Sequence, residues 1–163
     1  MVTRALKPAV PLRRRKPLPA ATLADATDGP LRGLIGYALR RAQLRVFDDF
    51  FEQLAGESIT PARFSALMVV HAHPGVTQAE LAHSLDIAPS GVAALLDSLE
   101  KDGFVRREPI EQNRRAYALH LTSSGNAKLR RLSQLVAEHE SRVCARLSAD
   151  EKRRLLEMLS RVG

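Results

Sequence analysis

Residues 77–105 read TQAELAHSLDIAPSGVAALLDSLEKDGFV, and this stretch decides the fold. Thr77 with Glu80 three residues on forms a capping box, so a helix opens here. Leu81 and Leu85, four apart, share one face of that short helix. Asp86-Ile87-Ala88-Pro89 interrupts the pattern, and Pro89, which has no backbone N–H, is tolerated in the first turn of a second helix. Val92, Leu95, Leu96 and Leu99 give that helix an apolar stripe. Gly103 suits the left-handed position that ends it. Two short helices, a tight turn and one shared apolar face describe a helix-turn-helix. Phe104–Glu108, a polar tip and Ala116–Leu121, with Tyr117, Leu119 and Leu121 alternating, add a β-hairpin packed on the helices, a wing.

Working outward, residues 60–121 form the expected winged helix-turn-helix. Thr60-Pro61 opens its first helix, Phe64, Leu67, Met68 and His71 share a face of it, and Pro74-Gly75 ends it in a turn. Upstream, residues 31–55 form a long helix with a broad apolar face, closed by Gly56. Four of the chain's seven aromatics, Tyr37, Phe47, Phe50 and Phe51, fall in it, beside Arg32, Arg40, Arg41 and Arg45. They are read either as core and dimer packing or as the wall of an effector pocket. Downstream, Thr122 caps a long helix running roughly to Leu147. Ser148 with Glu151 opens a last helix carrying Leu155, Leu156, Leu159 and Val162. So many apolar stripes exceed what a monomer of this size can bury, so residues 31–55 and 122–163 are expected to pair with a second copy. The expected fold class is mostly α with a small β-hairpin wing, the N- and C-terminal helices forming a dimer interface.

Residues 1–30 hold five of the nine prolines and the run Arg13-Arg14-Arg15-Lys16, the composition of a disordered basic arm. It is either a solvated tail or an electrostatic arm reaching DNA. The chain's net charge is +7 and its pI about 10.3, which points to an acidic partner, nucleic acid first. That charge is unevenly spread: residues 1–30 carry +4, whereas residues 77–115 sum to −2. A single cysteine, Cys144, excludes an internal disulfide and fits a reducing cytosol. No apolar segment is long enough to span a membrane and the basic N-terminus has no apolar signal core, so a cytoplasmic location is expected.

Gln78-Ala79-Glu80-Leu81-Ala82, the run Leu96–Gly103, Asn113–Leu119 and Leu121-Thr122-Ser123-Ser124-Gly125 together resemble the MarR family of bacterial transcription regulators, from about residue 31 to the C-terminus. The resemblance implies a homodimeric DNA-binding regulator that reads a pseudo-palindromic operator in double-stranded DNA. The recognition helix leads into the major groove with its N-terminus. Its DNA-facing set is Pro89, Ser90, Gly91, Ala93, Ala94 and Ser98, with Thr77 and Gln78 opening the preceding helix. Ser90 can bond a phosphate or a base edge, the first-turn amides can hold a phosphate, and Ala93 or Ala94 can meet a thymine methyl. Many relatives carry arginine at the positions of Ala94 and Ser98; this chain does not, so specificity leans on DNA shape and the wing. At the wing tip relatives usually show Asp-x-Arg, where this chain has Asn113 and Arg115. Arg115 is the expected minor-groove residue and Arg114 a phosphate contact.

The resemblance also implies a small aromatic effector, an aromatic acid or its coenzyme A thioester. Tyr37, Phe47, Phe50, Phe51, Phe64, Met68 and His71 offer flat apolar walls with a few polar tips, and Arg40 and Arg41 can pair with a carboxylate or phosphates. The histidines are scattered, and His71-x-His73 has no matching cysteine or carboxylate cluster, so no metal site is expected. Asp48 and Asp49 are adjacent on a helix and point apart. With no phosphate loop or nucleophile motif either, no cofactor and no enzyme activity are expected. The alternative is a winged helix used as a protein-interaction module, which would show no salt-dependent DNA affinity.

Residues 1–24 carry six basic and no acidic residues. Deleting them should leave a folded dimer that binds DNA more weakly, most of all at low salt, and by similar factors on specific and random duplexes. Fluorescence anisotropy across a salt series measures this. Equal affinities for the truncated and full-length chains would make the arm a solvated tail.

Overall fold

The computed structural model describes residues 29–111 and 113–162. The arm expected over residues 1–30 therefore lies, up to residue 28, outside the described residues, as do the side chains of Asn113, Arg114 and Arg115. The chain divides into two units, residues 1–41 and 42–163. In the first, a turn over residues 29–33 precedes helix α1 (Ile35–Gln53), which ends in the second unit. On α1, the Arg41 guanidinium donates to the Tyr37 hydroxyl at 3.4 Å and lies 5.8 Å from its ring centre.

The second unit continues with a short 3-10 turn (Ala55–Glu57), α2 (Pro61–Ala72), α3 (Gln78–Leu85), α4 (Pro89–Lys101), β1 (Val105–Ile110), β2 (Asn113–Leu121), α5 (Ser123–Val143) and α6 (Ala149–Leu159). The expected helix-turn-helix is α3 and α4, and the wing is the antiparallel pair β1–β2. Val105 faces Leu121 and Pro109 faces Tyr117, with an irregularity between Pro109 and Ile110. β2 also bonds the segment before α3: Gly75 N–H donates to Leu119 O and Leu119 N–H to Val76 O, both at 2.9 Å. The wing is thereby tied to the entrance of the helix pair as well as to its exit.

The helix ends follow local chemistry. Thr60, Thr77, Thr122 and Ser148 each accept an N–H three residues ahead, and Thr77 and Ser148 complete capping boxes with Glu80 and Glu151. Gly103 adopts φ +73, the left-handed turn expected after α4. Two expectations need correction. The helix of residues 31–55 spans Ile35–Gln53, and the left-handed residue after it is Ser58 at φ 51, not Gly56, which lies within the 3-10 turn. The helix opened by Thr122 stops at Val143 rather than Leu147. On α2 the buried face is Ala66, Leu67 and Val70, whereas Met68 and His71 are exposed. The face shared by Phe64, Leu67, Met68 and His71 thus meets the core only through Leu67 and, in part, Phe64.

The core joins every element of the second unit up to α5. Leu67, Leu81, Leu96, Leu99, Leu119 and Leu132 are fully buried, with Val70, Val92 and Val105 beside them. No residue of α6 is buried, and Leu155, Leu156, Met158 and Leu159 stay exposed. α6 is held to α5 by Lys152 Nζ on Glu140 Oε2 at 2.8 Å.

One contact fixes how the wing meets α5. Thr122 N–H donates to Phe104 O at 3.0 Å, and the Thr122 hydroxyl donates to Gly103 O at 2.6 Å while accepting from Gly125 N–H at 2.9 Å. The first turn of α5 lies so close that a Cβ on Gly125 would fall 2.0 Å from the Phe104 carbonyl oxygen. That neighbour is backbone, so it cannot swing aside as a side chain would. Gly125→Ala should therefore destabilise the fold by about 1–3 kcal/mol, the usual cost of overpacking. Ser124→Ala, at an exposed neighbour, should change little. Urea unfolding of both variants checks this; an unchanged midpoint for Gly125→Ala would overturn the close-packing argument.

Candidate nucleic-acid interface

α3 is anchored by its own cap. Thr77 N–H donates to Glu80 Oε2 at 2.8 Å, and the Thr77 hydroxyl both donates to Glu80 Oε2 and accepts from Glu80 N–H. These bonds hold the Glu80 carboxyl below its ordinary range, with the backbone bond the largest cause. The Thr77 hydroxyl is thus engaged in the cap, and Gln78 beside it is half-buried. α3 ends at Asp86, a non-glycine residue at φ 50, and the chain turns directly into α4. Asp and Asn tolerate this region better than most residues.

The tip of α4 has no side-chain cap: Ala88 has none to offer and Pro89 lacks an N–H. The Gly91 N–H turns back onto Ala88 O at 2.9 Å, so the expected group of first-turn amides is smaller than the sequence implied. Ser90 is exposed at this tip, with a hydroxyl and an amide. A Cβ on Gly91 would meet Ile87 Cγ2 at 3.0 Å, so the glycine lets the turn pack tightly under the helix. Pro89, Ser90, Gly91 and Ala94 are exposed, and Ala93 and Ser98 are half-buried, while Val92, Leu96 and Leu99 face the core. The expected DNA-facing residues of α4 therefore share the side away from the core.

The wing is braced onto α4 by Arg107 of β1. Its two terminal nitrogens bond Asp97 Oδ1 and Glu100 Oε2, each at 2.7 Å. Arg63 of α2 pairs with Asp102 just past α4 and donates to Ser58 O at 3.1 Å. Within the wing, Glu108 pairs with Arg106 and lies 3.2 Å from His120 Nε2. Asn113, Arg114 and Arg115 open β2 at the tip, Asn113 facing Ile110 in the backbone pairing.

The effector candidates of the second unit form two groups. Phe47 and Phe51 meet edge to face at 6.4 Å and both are exposed. Phe50 turns inward, buried against Phe51 at 5.9 Å and His139 at 5.5 Å. On α2, Phe64 packs partly against the core, and Met68 and His71 are exposed. In the first unit Arg40 is exposed and Tyr37 pairs with Arg41 on the same helix. An open cleft of about 710 Å³, lined by His73–Val76, Ala79, Glu80, His83 and Ser84, borders none of these.

Two polar clusters had no sequence signal. The buried Glu57 carboxylate accepts from Lys128 Nζ and Arg131 Nε, each at 2.7 Å, and Lys128 also bonds Glu57 O at 2.9 Å. Asp49 lies 2.6 Å from Nδ1 of the buried His139 and 3.4 Å from Arg142. The partners are 71–93 residues apart in sequence, beyond any local pattern. Among the described residues no group of three or more His, Cys, Asp and Glu could hold a metal, and no helix is long and apolar enough to cross a membrane.

The MarR family model matches residues 59–117, from just before α2 to the middle of β2. A putative transcriptional regulatory protein for the hcr operon of Thauera aromatica is 32% identical over 153 residues, covering 93% of this chain and 92% of that protein. Among solved structures, the transcriptional repressor CouR bound to a 23-mer DNA duplex is 44% identical with a TM-score of 0.78, covering 82% of this chain and 94% of that one. CouR bound to p-coumaroyl-CoA is 43% identical with a TM-score of 0.72, covering 78% and 89%. These similar proteins are transcription regulators, not enzymes.

The Glu57 cluster has a pH signature. The bond from Lys128 is the largest cause holding the Glu57 carboxyl below its ordinary range, and it outweighs the desolvation that pushes the other way. A depressed folded-state value means that the unfolded chain binds more protons. The stabilisation is present above about pH 4.3 and lost as pH falls through the depressed value. Glu57→Gln should thus lower the urea midpoint at pH 7 and flatten its fall on acidification. A variant with the same acid slope as the native protein would remove Glu57 as a contributor.

Proposed function

The chain belongs to the MarR family of transcription regulators, and we propose that it is a ligand-released repressor whose effector is an aromatic acid or its coenzyme A thioester. The observation that carries this reading is the likeness, at 43–44% identity, to a repressor solved both on a DNA duplex and with p-coumaroyl-CoA. In this proposal the protein acts in the cytoplasm as a homodimer on a pseudo-palindromic operator. The exposed residues Leu155, Leu156, Met158 and Leu159 of α6, with Leu44 of α1, are the kind of apolar surface a second copy covers. Two copies of α4 then enter successive major grooves about 34–36 Å apart. Ser90 meets phosphate or a base edge, and Arg115 reaches the minor groove from the wing.

The exposed rings of Phe47 and Phe51 and the flexible thioether of Met68 suit a flat aromatic ligand. Arg40 and Arg41 suit its carboxylate, or the phosphates of a thioester. A ligand that binds better to one spacing of the two readers than to another shifts the dimer toward it, and DNA affinity falls when that spacing no longer fits the operator.

The test is an anisotropy release assay on a duplex selected from genomic DNA by the purified protein. Aromatic acids or their thioesters should release the duplex and aliphatic controls should not. Arg40→Ala or Arg41→Ala should raise the ligand concentration needed, with ligand-free DNA affinity nearly unchanged. Arg115→Ala should instead weaken ligand-free binding and flatten its salt slope by about one unit. Release by aliphatic compounds or metals alone would overturn the aromatic effector, and an unchanged Arg115→Ala affinity would overturn the groove assignment.

A further inference from the structure

Residues 77–115 carry a net −2, an unfavourable balance for a segment that meets phosphate. The acidic residues are not evenly placed. Along α4, Ser90, Ala94, Asp97 and Lys101 are exposed and follow one another at helical spacing, so Asp97 continues the row that begins at the tip. Its side chain is 68% exposed, one turn beyond Ala94. An unmasked carboxylate here would repel DNA directly.

The structure assigns a specific answer to that repulsion. We propose that Arg107 is a positioning residue for DNA binding, which neutralises Asp97 on the reader and draws its carboxylate toward the wing. Arg107 fits this role by geometry. Its side chain is only 22% exposed, and its two terminal nitrogens are taken up by Asp97 and Glu100 at 2.7 Å each, so its charge serves the two carboxylates rather than a phosphate. A guanidinium fork can hold two carboxylates spaced i, i+3 at once, which a lysine cannot do with the same rigidity. Both carboxylates are more than 40% exposed, so the pairs themselves stabilise the fold little. The consequence lies in the field at the DNA-facing side, where each charge counts within a Debye length. Asp102, just past the helix, is paired in the same manner by Arg63. The inference rests on the DNA-binding reading above.

A double-mutant cycle tests it. Affinity is measured by anisotropy at low and at physiological salt, on a duplex selected by the unmodified protein and on a random duplex of equal length. Arg107→Ala should weaken binding about tenfold at low salt, and less at higher salt. Asp97→Asn should change affinity less than about twofold in the native background, yet recover most of the loss in the Arg107→Ala background. Arg107→Lys, which keeps the charge, should bind nearly as well as the native chain. Circular dichroism and melting show that each variant is folded, and Arg107→Gln replaces Arg107→Ala if the latter is not. No recovery by Asp97→Asn would mean that Arg107 only braces the wing, and overturns the mask. An equal gain from Asp97→Asn in both backgrounds would mean that the native Asp97 is not masked, and overturns it too. If the unmodified protein binds no DNA, the DNA-binding reading falls and the mask with it.

Discussion

Leu67, Leu81, Leu96, Leu119 and Leu132 have no exposure to solvent, and they come from five different elements. None of these elements can bury its apolar face alone: α3 has eight residues, α4 thirteen, and the sheet two strands. Isolated helices of that length are marginal in water, and so is a lone hairpin. Each fully buried leucine contributes about 1.5–3 kcal/mol, and only when the other four elements are in place. The reader helix, the wing and α5 therefore fold as one cooperative unit. This matters for function because the exposed side of α4 is positioned by its buried side. Val92, Leu96 and Leu99 fix the rotation of the helix about its axis, and that rotation decides that Ser90, Ala94 and Asp97 face outward.

The rim of this core is polar and held by long side chains. Lys128 reaches from α5 to Glu57 and lies 5.9 Å from the Phe104 ring, so one ammonium touches both the 3-10 turn after α1 and the residue that opens the wing. Asp49 and His139 join α1 to α5 one helical stretch further on. A buried carboxylate such as Glu57 is tolerable only with its partners in place, so these contacts act as a geometric requirement more than as a source of stability. They tie α5 to α1, to the 3-10 turn and to the residue that opens the wing. On the proposed function, a ligand-driven change at α1 would have to be carried through these same contacts.

The sequence was most legible where the physics is local. A hydroxyl capping an N–H three residues on involves four consecutive residues, so Thr60, Thr77, Thr122 and Ser148 declared their helices directly. Gly103 was legible because a left-handed turn selects glycine, whereas Ser58 and Asp86 occupy the same region without it and gave no warning. The spacing that groups Phe64, Leu67, Met68 and His71 on one face of α2 did not say which side is buried, and the buried residues are Ala66, Leu67 and Val70. Periodicity selects a stripe and not which of two neighbouring stripes meets the core. The pairs Asp49–His139 and Glu57–Lys128 join residues whose separation in the chain no pattern encodes. Likewise, no local pattern marks Arg107, whose two carboxylate partners lie seven and ten residues earlier in the chain.

The composition of the reader sets how it can discriminate between operators. Gly91, Ala93 and Ala94 present almost no side chain, and Ser90 supplies one short hydroxyl. Such a surface allows close approach of the helix backbone to the groove floor but gives no bidentate fork for guanine, the strongest direct contact available. The long cations around it are placed otherwise: Lys101 stands at the far end of α4, Arg63 and Arg107 are held by carboxylates, and Arg114 and Arg115 belong to β2 of the wing. On the proposed function, the major groove is then read chiefly by steric fit and methyl contact, and electrostatic preference shifts to the minor groove. Minor-groove width varies with sequence, and a narrow groove concentrates negative potential that favours arginine. Affinity would thus depend on the spacing and angle of the two wings across the dimer. A regulator built in this way is well suited to release by a ligand, because a small change in that spacing disturbs the contacts that carry its specificity.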